Sequence, residues 1–571
     1  MRHFNPILQN LALFGCAAAF AASGRLGADA RSESSGNVII PEPSLAVPFD
    51  VPVPAFPDRR FDVTQFGAKG DGKTLNTEAF AKAISACAQS GGGRVVVPAG
   101  LWLTGPIVLQ SNVDLHLEER AFVVFDPNLK HYPLIETSYE GLQAYRRQSP
   151  ISGRDLINVA ITGKGIVDGS GQAWRPVKKG KMTESQWQGL LNSGGAVDRW
   201  GSTWYPSSAA LGAAALLAEV RDPKRQLTME AYEAMGEYLR PVLVSLVRCK
   251  NVLLEGPTFQ NSPAWNLHPL MCENVTLRHL TVKNPWYSQN GDGVDLESCR
   301  NAVVASCNFD VGDDAICMKS GRNEEGRKRG LPTENVRILN CVVYHGHGGF
   351  VIGSEMSGGV RNVEVNDCIF IGTDTGLRFK STRGRGGVVE GIRIRNVVMT
   401  DIPTQAITFN MYYQGLAPIP DPEDAPIPSR TEIPAPSEET PRFRNISIVD
   451  IVCRGAGQAV VLQGLPEIPL ENVELKNVFI KAVQGLACSD AEGIRMENVE
   501  IVPGQGPVFS IHNSRDVTLD RAVCPPGAEV FLSLSGSRTK DIRVLRTDMT
   551  PARKDVERTG DVPADALMRN P

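Results

Sequence analysis

The chain has 571 residues, with 55 glycines, 39 prolines and only 6% aromatic residues, a composition that favours many short strands and turns over long helices. Its formal net charge of −4 and isoelectric point near 6.1 exclude a broadly basic nucleic-acid-binding surface and confine any cationic site to a local cluster. Beyond the N-terminal segment, no apolar run is long enough to span a membrane.

Arg2 and His3 precede a mainly apolar run from Ile7 to Ala22 and the small-residue stretch Ala28-Asp29-Ala30. This is the pattern of a secretory signal peptide over residues 1–30, and it predicts a secreted or periplasmic protein. Cys16 offers the alternative of a lipid anchor, disfavoured because the apolar run continues past it. Residues 31–60 read as a linker. Residues 61–110 then give a strand, a glycine turn from Gly67 to Gly72, an amphipathic helix from Thr77 to Gln89 and a strand from Arg94 to Pro98. A solenoid needs a cap over its open core, and this helix is placed to supply one.

Asn112 and Asn158 begin two loose repeats, and from Cys249 onward the pattern becomes regular. Each copy has Asn, or a Gly or Asp in its place, followed by alternating apolar and polar residues. Asn251, Asn274, Asn335, Asn362, Asn445 and Asn472 head clear copies; Asn301, Gly391, Gly493, Asp516 and Asp541 head weaker ones. A period-two segment this short has one apolar face and cannot bury it alone, so neighbouring copies must stack. Repeats of roughly 20 to 30 residues without helical periods predict an all-β, right-handed parallel β-helix over residues 61–560, with 561–571 as a tail. The Leu-x-x-Leu-x-Leu spacing of a leucine-rich horseshoe is absent. Asn at the same turn of each coil supplies left-handed geometry and a ladder of side-chain hydrogen bonds.

Two insertions break the repeat. Residues 170–240 contain Trp174, Trp187, Trp200 and Trp204 and a helix near Thr228 to Leu239, so the tryptophans are either packing anchors or sugar-stacking walls. Residues 415–441 are rich in proline and acidic residues and read as an extended loop. The chain has twelve cysteines, three of which, Cys307, Cys341 and Cys368, each fall six residues after the repeat's Asn. They read as a buried stack of small apolar side chains rather than as bridges.

Four polar groups fall on consecutive repeats: Asn290-Gly291-Asp292-Gly293-Val294-Asp295, Gly312-Asp313-Asp314, His345-Gly346-His347-Gly348-Gly349 and Arg378-Phe379-Lys380. Asp292 and Asp313 are 21 residues apart, and the steps to His347 (34) and Arg378 (31) are one coil each with a loop added. All four groups are therefore predicted on one face, stacked at about 4.8 Å per coil. Carboxylates this close cannot all ionise freely, so at least one keeps its proton and is a general acid, while an ionised neighbour activates water. His347 is placed to hydrogen-bond the acid. Arg378 and Lys380, two apart on a strand, point the same way toward a sugar carboxylate. Taken singly, each motif has a plain reading: Asp292 or Asp295 as turn residues, Arg378 and Lys380 as a solvated strand face.

The order Asn-x-Asp, Asp-Asp, Gly-His-Gly, Arg-x-Lys resembles glycoside hydrolase family 28, the polygalacturonases, over most of the chain from Phe61 to beyond Tyr413. The resemblance implies that Asp313 is the general acid, that Asp292 and Asp314 activate the attacking water, and that His347 supports the acid. It implies that Asn290, Arg378, Lys380 and, more loosely, Tyr413 bind a pectic polysaccharide or oligogalacturonide, with inversion at the anomeric carbon and no metal or organic cofactor. The family's usual Asn-Thr-Asp reads Asn290-Gly291-Asp292 here. The long insertion and the run Gly353-Ser354-Glu355-Met356-Ser357-Gly358-Gly359 are similar to the family's bacterial members, several of them exo-acting. The competing expectations are a rhamnogalacturonan or substituted-galacturonan hydrolase, a lyase or epimerase on the same fold, and a noncatalytic glycan-binding β-helix.

Overall fold

The computed structural model describes residues 51–219, 227–413 and 433–570. Residues 1–30, read above as a signal peptide, Cys16 and most of the 415–441 insertion lie outside the described residues. Within them the chain winds through three parallel sheets, each coil contributing one strand to each.

The first sheet begins with Arg60–Asp62, Gly93–Val97, Val113–Leu117 and Ile157–Gly163, and continues through Lys250–Glu255, Glu273–Arg278, Arg300–Ala305 and Thr333–Leu339. The third sheet runs through Ile151–Arg154, Val244–Val247, Leu267–Leu270, Val294–Glu297, Asp314–Lys319, Gly348–Ile352 and Thr375–Lys380. Later coils lose their corners: Val388–Asn410, Arg442–Gln463, Leu470–Ser489 and Ala491–His512 each run unbroken through all three sheets. This is the right-handed parallel β-helix read from the repeat. Its inward valines, leucines and isoleucines form one continuous core. The helix Thr77–Gln89 closes the first end with Phe80, Ala83, Ile84 and Cys87 buried against that core.

The coil register is set at the turn that the repeat's Asn occupies. Asn158, Asn251, Asn274, Asn301, Asn335 and Asn362 all have φ between 54° and 58°. Each amide donates to the carbonyl of the preceding one, from Asn251 to Asn158 at 2.9 Å through Asn362 to Asn335 at 3.3 Å. Gly391 and Gly493 stand at equivalent turns with φ of 65° and 68°. Cys307, Cys341 and Cys368 are free and buried in successive coils, as read, and Cys249, Cys272 and Cys299 form a second column of the same kind.

One boundary changes: within the segment read as a tail, Leu567–Asn570 pairs in parallel with Lys540–Leu545 as the last strand of the ladder, too short for its alternation to show in the sequence. The 170–240 insertion folds as a three-stranded sheet (Val177–Lys178, Ala196–Val197, Thr203–Tyr205) with helices Glu184–Asn192, Ser208–Glu219 and Met229–Ala234. Trp187 and Trp204 make its small core, against which Tyr287 packs, and Trp174 is buried edge-on to Tyr132. These three are packing anchors; Trp200, 73% exposed, is the exception. Among the described residues, no helix is long and apolar enough to cross a membrane.

The Asn ladder makes a direct prediction. Asn274 spans two ladder bonds at φ 58°, so Asn274→Ala should cost roughly 2–3 kcal/mol in urea unfolding, through lost hydrogen bonds and left-handed strain. Asn274→Gly, which adopts that geometry freely, should cost about half as much.

Candidate active site

The site is built from the turns that enter the third sheet and from the strands that follow them. Val294 pairs with Ile316, which sets Asp292 opposite Asp314; Asp314 pairs with Gly348, which sets Asp313 opposite His347. The backbone enforces this, since Gly293 N donates to Asp314 O at 2.9 Å and His347 N to Asp313 O at 2.8 Å. The ligating atoms of Asp313, Asp314 and His347 lie within 4.8 Å of one another. Both Asp314 oxygens are engaged by cations, Oδ2 by Lys380 Nζ at 2.6 Å and Oδ1 by Arg378 Nη1 at 3.3 Å, which disfavours a metal ion at this trio.

Arg378 and Lys380 are not a solvated strand face. Both are largely buried, and the Tyr413 ring centroid lies 5.8 Å from the Arg378 guanidinium and 5.2 Å from Lys380 Nζ. Asn290, at φ 53°, donates its backbone N–H to Asp313 Oδ2 at 3.2 Å, and its side-chain carbonyl accepts from Arg240 Nη2 at 2.9 Å. His347 places Nδ1 3.7 Å from Asp313 Oδ1 and Nε2 3.1 Å from Asp374 Oδ2. All eight residues singled out in the sequence therefore fall in one neighbourhood.

The carboxyls differ electrostatically. Burial opposes ionisation of Asp314, but the Lys380 and Arg378 charges outweigh it and hold the group well below the ordinary carboxylate range. Asp292, 2% exposed with Oδ1 lacking any hydrogen-bond partner, is pushed well above that range by burial, with the charges of Asp295 and Asp313 adding to it. Asp314 and Asp292 are thus pushed in opposite directions, one by its cations and the other by burial.

A hairpin packs across the early coils beside the site. The hairpin Leu134–Tyr139/Leu142–Arg147 leaves the chain before strand Ile151–Arg154, and Gly141 O at its tip accepts from Arg322 N at 3.1 Å, just beyond strand Asp314–Lys319. It thereby spans the three intervening third-sheet strands. Tyr139 stacks on Trp265 at 4.9 Å, and the Arg146 guanidinium lies 3.6 Å from the Tyr139 centroid.

A profile of the family described as "Glycosyl hydrolases family 28" matches residues 230–426, and one described as "Rhamnogalacturonase A/epimerase, pectate lyase-like" matches 60–116. An exo-poly-alpha-D-galacturonosidase of Dickeya chrysanthemi is 30% identical over 480 residues, covering 81% of this chain and 75% of its own. The chain belongs to glycosyl hydrolase family 28. The crystal structure of a hyperthermoactive exopolygalacturonase from Thermotoga maritima is similar at 32% identity and a TM-score of 0.65, over 80% of this chain and 94% of that one. A family 28 exopolygalacturonase of Yersinia enterocolitica, at 23% identity and a TM-score of 0.60 over 79% of this chain and 76% of its own, shares the fold. The protein is accordingly a glycosidase.

Family membership sharpens two features. Gly291, where the usual motif carries Thr, has no room for a side chain: a Cβ there would collide with Ser288 Oγ, and one at Gly312 would meet the same hydroxyl. Ser288, buried, fills the space instead. Asp295 is not a turn cap but a fully buried residue of strand Val294–Glu297. Sequence reasoning missed Arg240, Asp374, Lys319 and the hairpin; Arg240 and the hairpin belong to insertions with no repeat pattern, while Lys319 is marked only by alternation with Cys317 behind Asp314. Gly291→Thr should lower stability by about 1–3 kcal/mol in thermal unfolding, and adding Ser288→Gly should recover much of that loss.

Proposed function

We infer that this glycosidase hydrolyses α-linked galacturonan of pectic polysaccharide, and that it does so from a chain end. The observation that carries the reading is the Asp314 carboxylate held ionised by Lys380 and Arg378 beside Asp313 and Asp292. In the proposed reaction Asp314 takes a proton from water as its oxygen attacks the anomeric carbon. Asp313, a quarter exposed, gives a proton to the leaving glycosidic oxygen. Asp292 completes the water site, and displacement on the far face inverts the anomeric configuration. His347 steadies Asp313, while the remaining donors of Arg378 and Lys380, with Asn290 and Tyr413, hold the uronate.

The anionic substrate follows from two cations at the reacting centre, and galacturonate from the relatives named above. The rhamnogalacturonase-like profile covers only the cap and first coils, away from the aspartates, and gives no support to a second substrate. Exo-action is supported by the hairpin, because a groove walled at the early coils admits a chain end and not a chain interior. Secretion belongs to the same reading: the polymer is extracellular and residues 1–30 have the pattern of a signal peptide.

With polygalacturonate, the expected result is monomeric or uniformly short product, rising reducing ends and no unsaturated product; an unsaturated product would mean a lyase. Asp313→Asn should reduce kcat by roughly 10²–10⁴ without changing the melting temperature. Replacing residues 138–143 by a short glycine turn should open the groove and broaden the product sizes. Lys380→Met removes a charge that keeps Asp314 ionised, so the acidic limb of the kcat profile should move to higher pH.

A further inference from the structure

Arg240 ends the long insertion, between helix Met229–Ala234 and strand Val244–Val247, and the proposed reaction gives it no part. It is 3% exposed and, among the described residues, forms no ion pair. Its guanidinium is spent on neutral oxygens: Nη1 donates to Pro263 O at 3.0 Å and to Gln289 O at 2.9 Å, and Nη2 to Asn290 Oδ1 at 2.9 Å. The hairpin holds its main chain, since Arg146 Nε donates to Arg240 O at 3.0 Å and Arg147 N to Leu239 O at 3.1 Å. A buried cation without a carboxylate is costly, so packing alone would favour an apolar side chain at this place.

What the two Nη atoms hold is the turn before Asp292. Gln289 O and Asn290 Oδ1 are gripped together, and Asn290 keeps a φ of 53°. From that conformation its main-chain N–H reaches Asp313 Oδ2 at 3.2 Å. A guanidinium can only donate, so it takes the oxygen of the Asn290 amide and leaves the NH2 group, which has no partner among the described residues. Positive charge at the amide oxygen also polarises the group and strengthens its N–H donors. An amide prepared in this way is a donor to carboxylate and hydroxyl oxygens, which are the oxygens a galacturonate carries.

We propose that Arg240 is a positioning residue that locks the Asn290 amide with its NH2 group turned to the substrate, so that Asn290 meets uronate oxygens only as a donor. Without Arg240 the amide is free to turn its oxygen outward, against the anion it has to bind. The insertion thereby acts on recognition through one residue at its end. The inference rests on the reading that Asn290 contacts the substrate.

The test is a double-mutant cycle on the full chain with trigalacturonate, joined to a crystal structure of the Arg240 variant. Arg240→Met, which keeps the length and removes donors and charge, should raise KM roughly tenfold, with a smaller effect on kcat. Asn290→Ala should raise KM by a similar factor, and adding Arg240→Met to it should change KM little further, because the two side chains act as one unit. Arg240→Lys keeps the charge but loses the planar fork; it should raise KM less than the methionine does, and serves if that variant does not fold. In the variant crystal the 289–290 turn should be displaced or occupy two conformations. A wild-type KM in a folded Arg240 variant, additive rises in the cycle, or an unmoved turn overturns the proposal and leaves Arg240 a packing residue. An unchanged KM in Asn290→Ala removes the reading of Asn290, and the role in recognition with it, even where the crystal shows that Arg240 holds the turn.

Discussion

Everything in this molecule depends on coils stacking in register. A strand of four to six residues with one apolar face has no stability alone; it gains it when the strands above and below cover that face and complete its backbone hydrogen bonds. The asparagine ladder fixes the register, because a one-residue slip would break an amide bond at every coil and turn each apolar row outward. The same register aligns Asp292 with Asp314 and Asp313 with His347. Stability and chemistry share one geometric cause.

That stacking also explains why the site tolerates so much buried charge. Side chains at one position of successive third-sheet strands stand about 4.8 Å apart, close enough for carboxylates and cations to pair across coils. Asp314 is satisfied by Arg378 and Lys380, Glu297 by His268 and Arg329, and Lys319 by Asp295 and Glu355. Asp292 Oδ1 is left unpartnered, and burial pushes this carboxyl well above the ordinary range. The contrast between Asp314 and Asp292 comes from where each sits in this lattice of charges, since both are aspartates at register-equivalent positions of successive coils.

The insertions do different work from the coils. The hairpin at Leu134–Arg147 and the tryptophan-bearing insertion pack beside the early coils and carry none of the aspartates. Tyr287, which packs into the insertion's core, stands five residues before Asp292, so the insertion also braces the turn that carries an aspartate. Gly291 shows how local this adjustment is: the side chain usual at that point of the motif is replaced by Ser288 reaching in from the same loop.

The sequence by itself determined the solenoid, the capping helix and the ladder, and it set the four polar groups on one face, because each is written as a periodic pattern or a spacing of one coil; Tyr413 was indicated only by the family resemblance. Asp292, Asp313, His347 and Arg378 could be placed on one face from their residue numbers, since the distance between coils is a constant of the sheet. Only the tertiary structure decided how the charges pair. That Arg378 and Lys380 meet Asp314, that Asp295 is buried in a strand rather than capping a turn, and that a hairpin crosses three coils to cover them depend on loops of irregular length. Nothing in a loop's sequence states which distant surface it will touch; the core it packs against settles that.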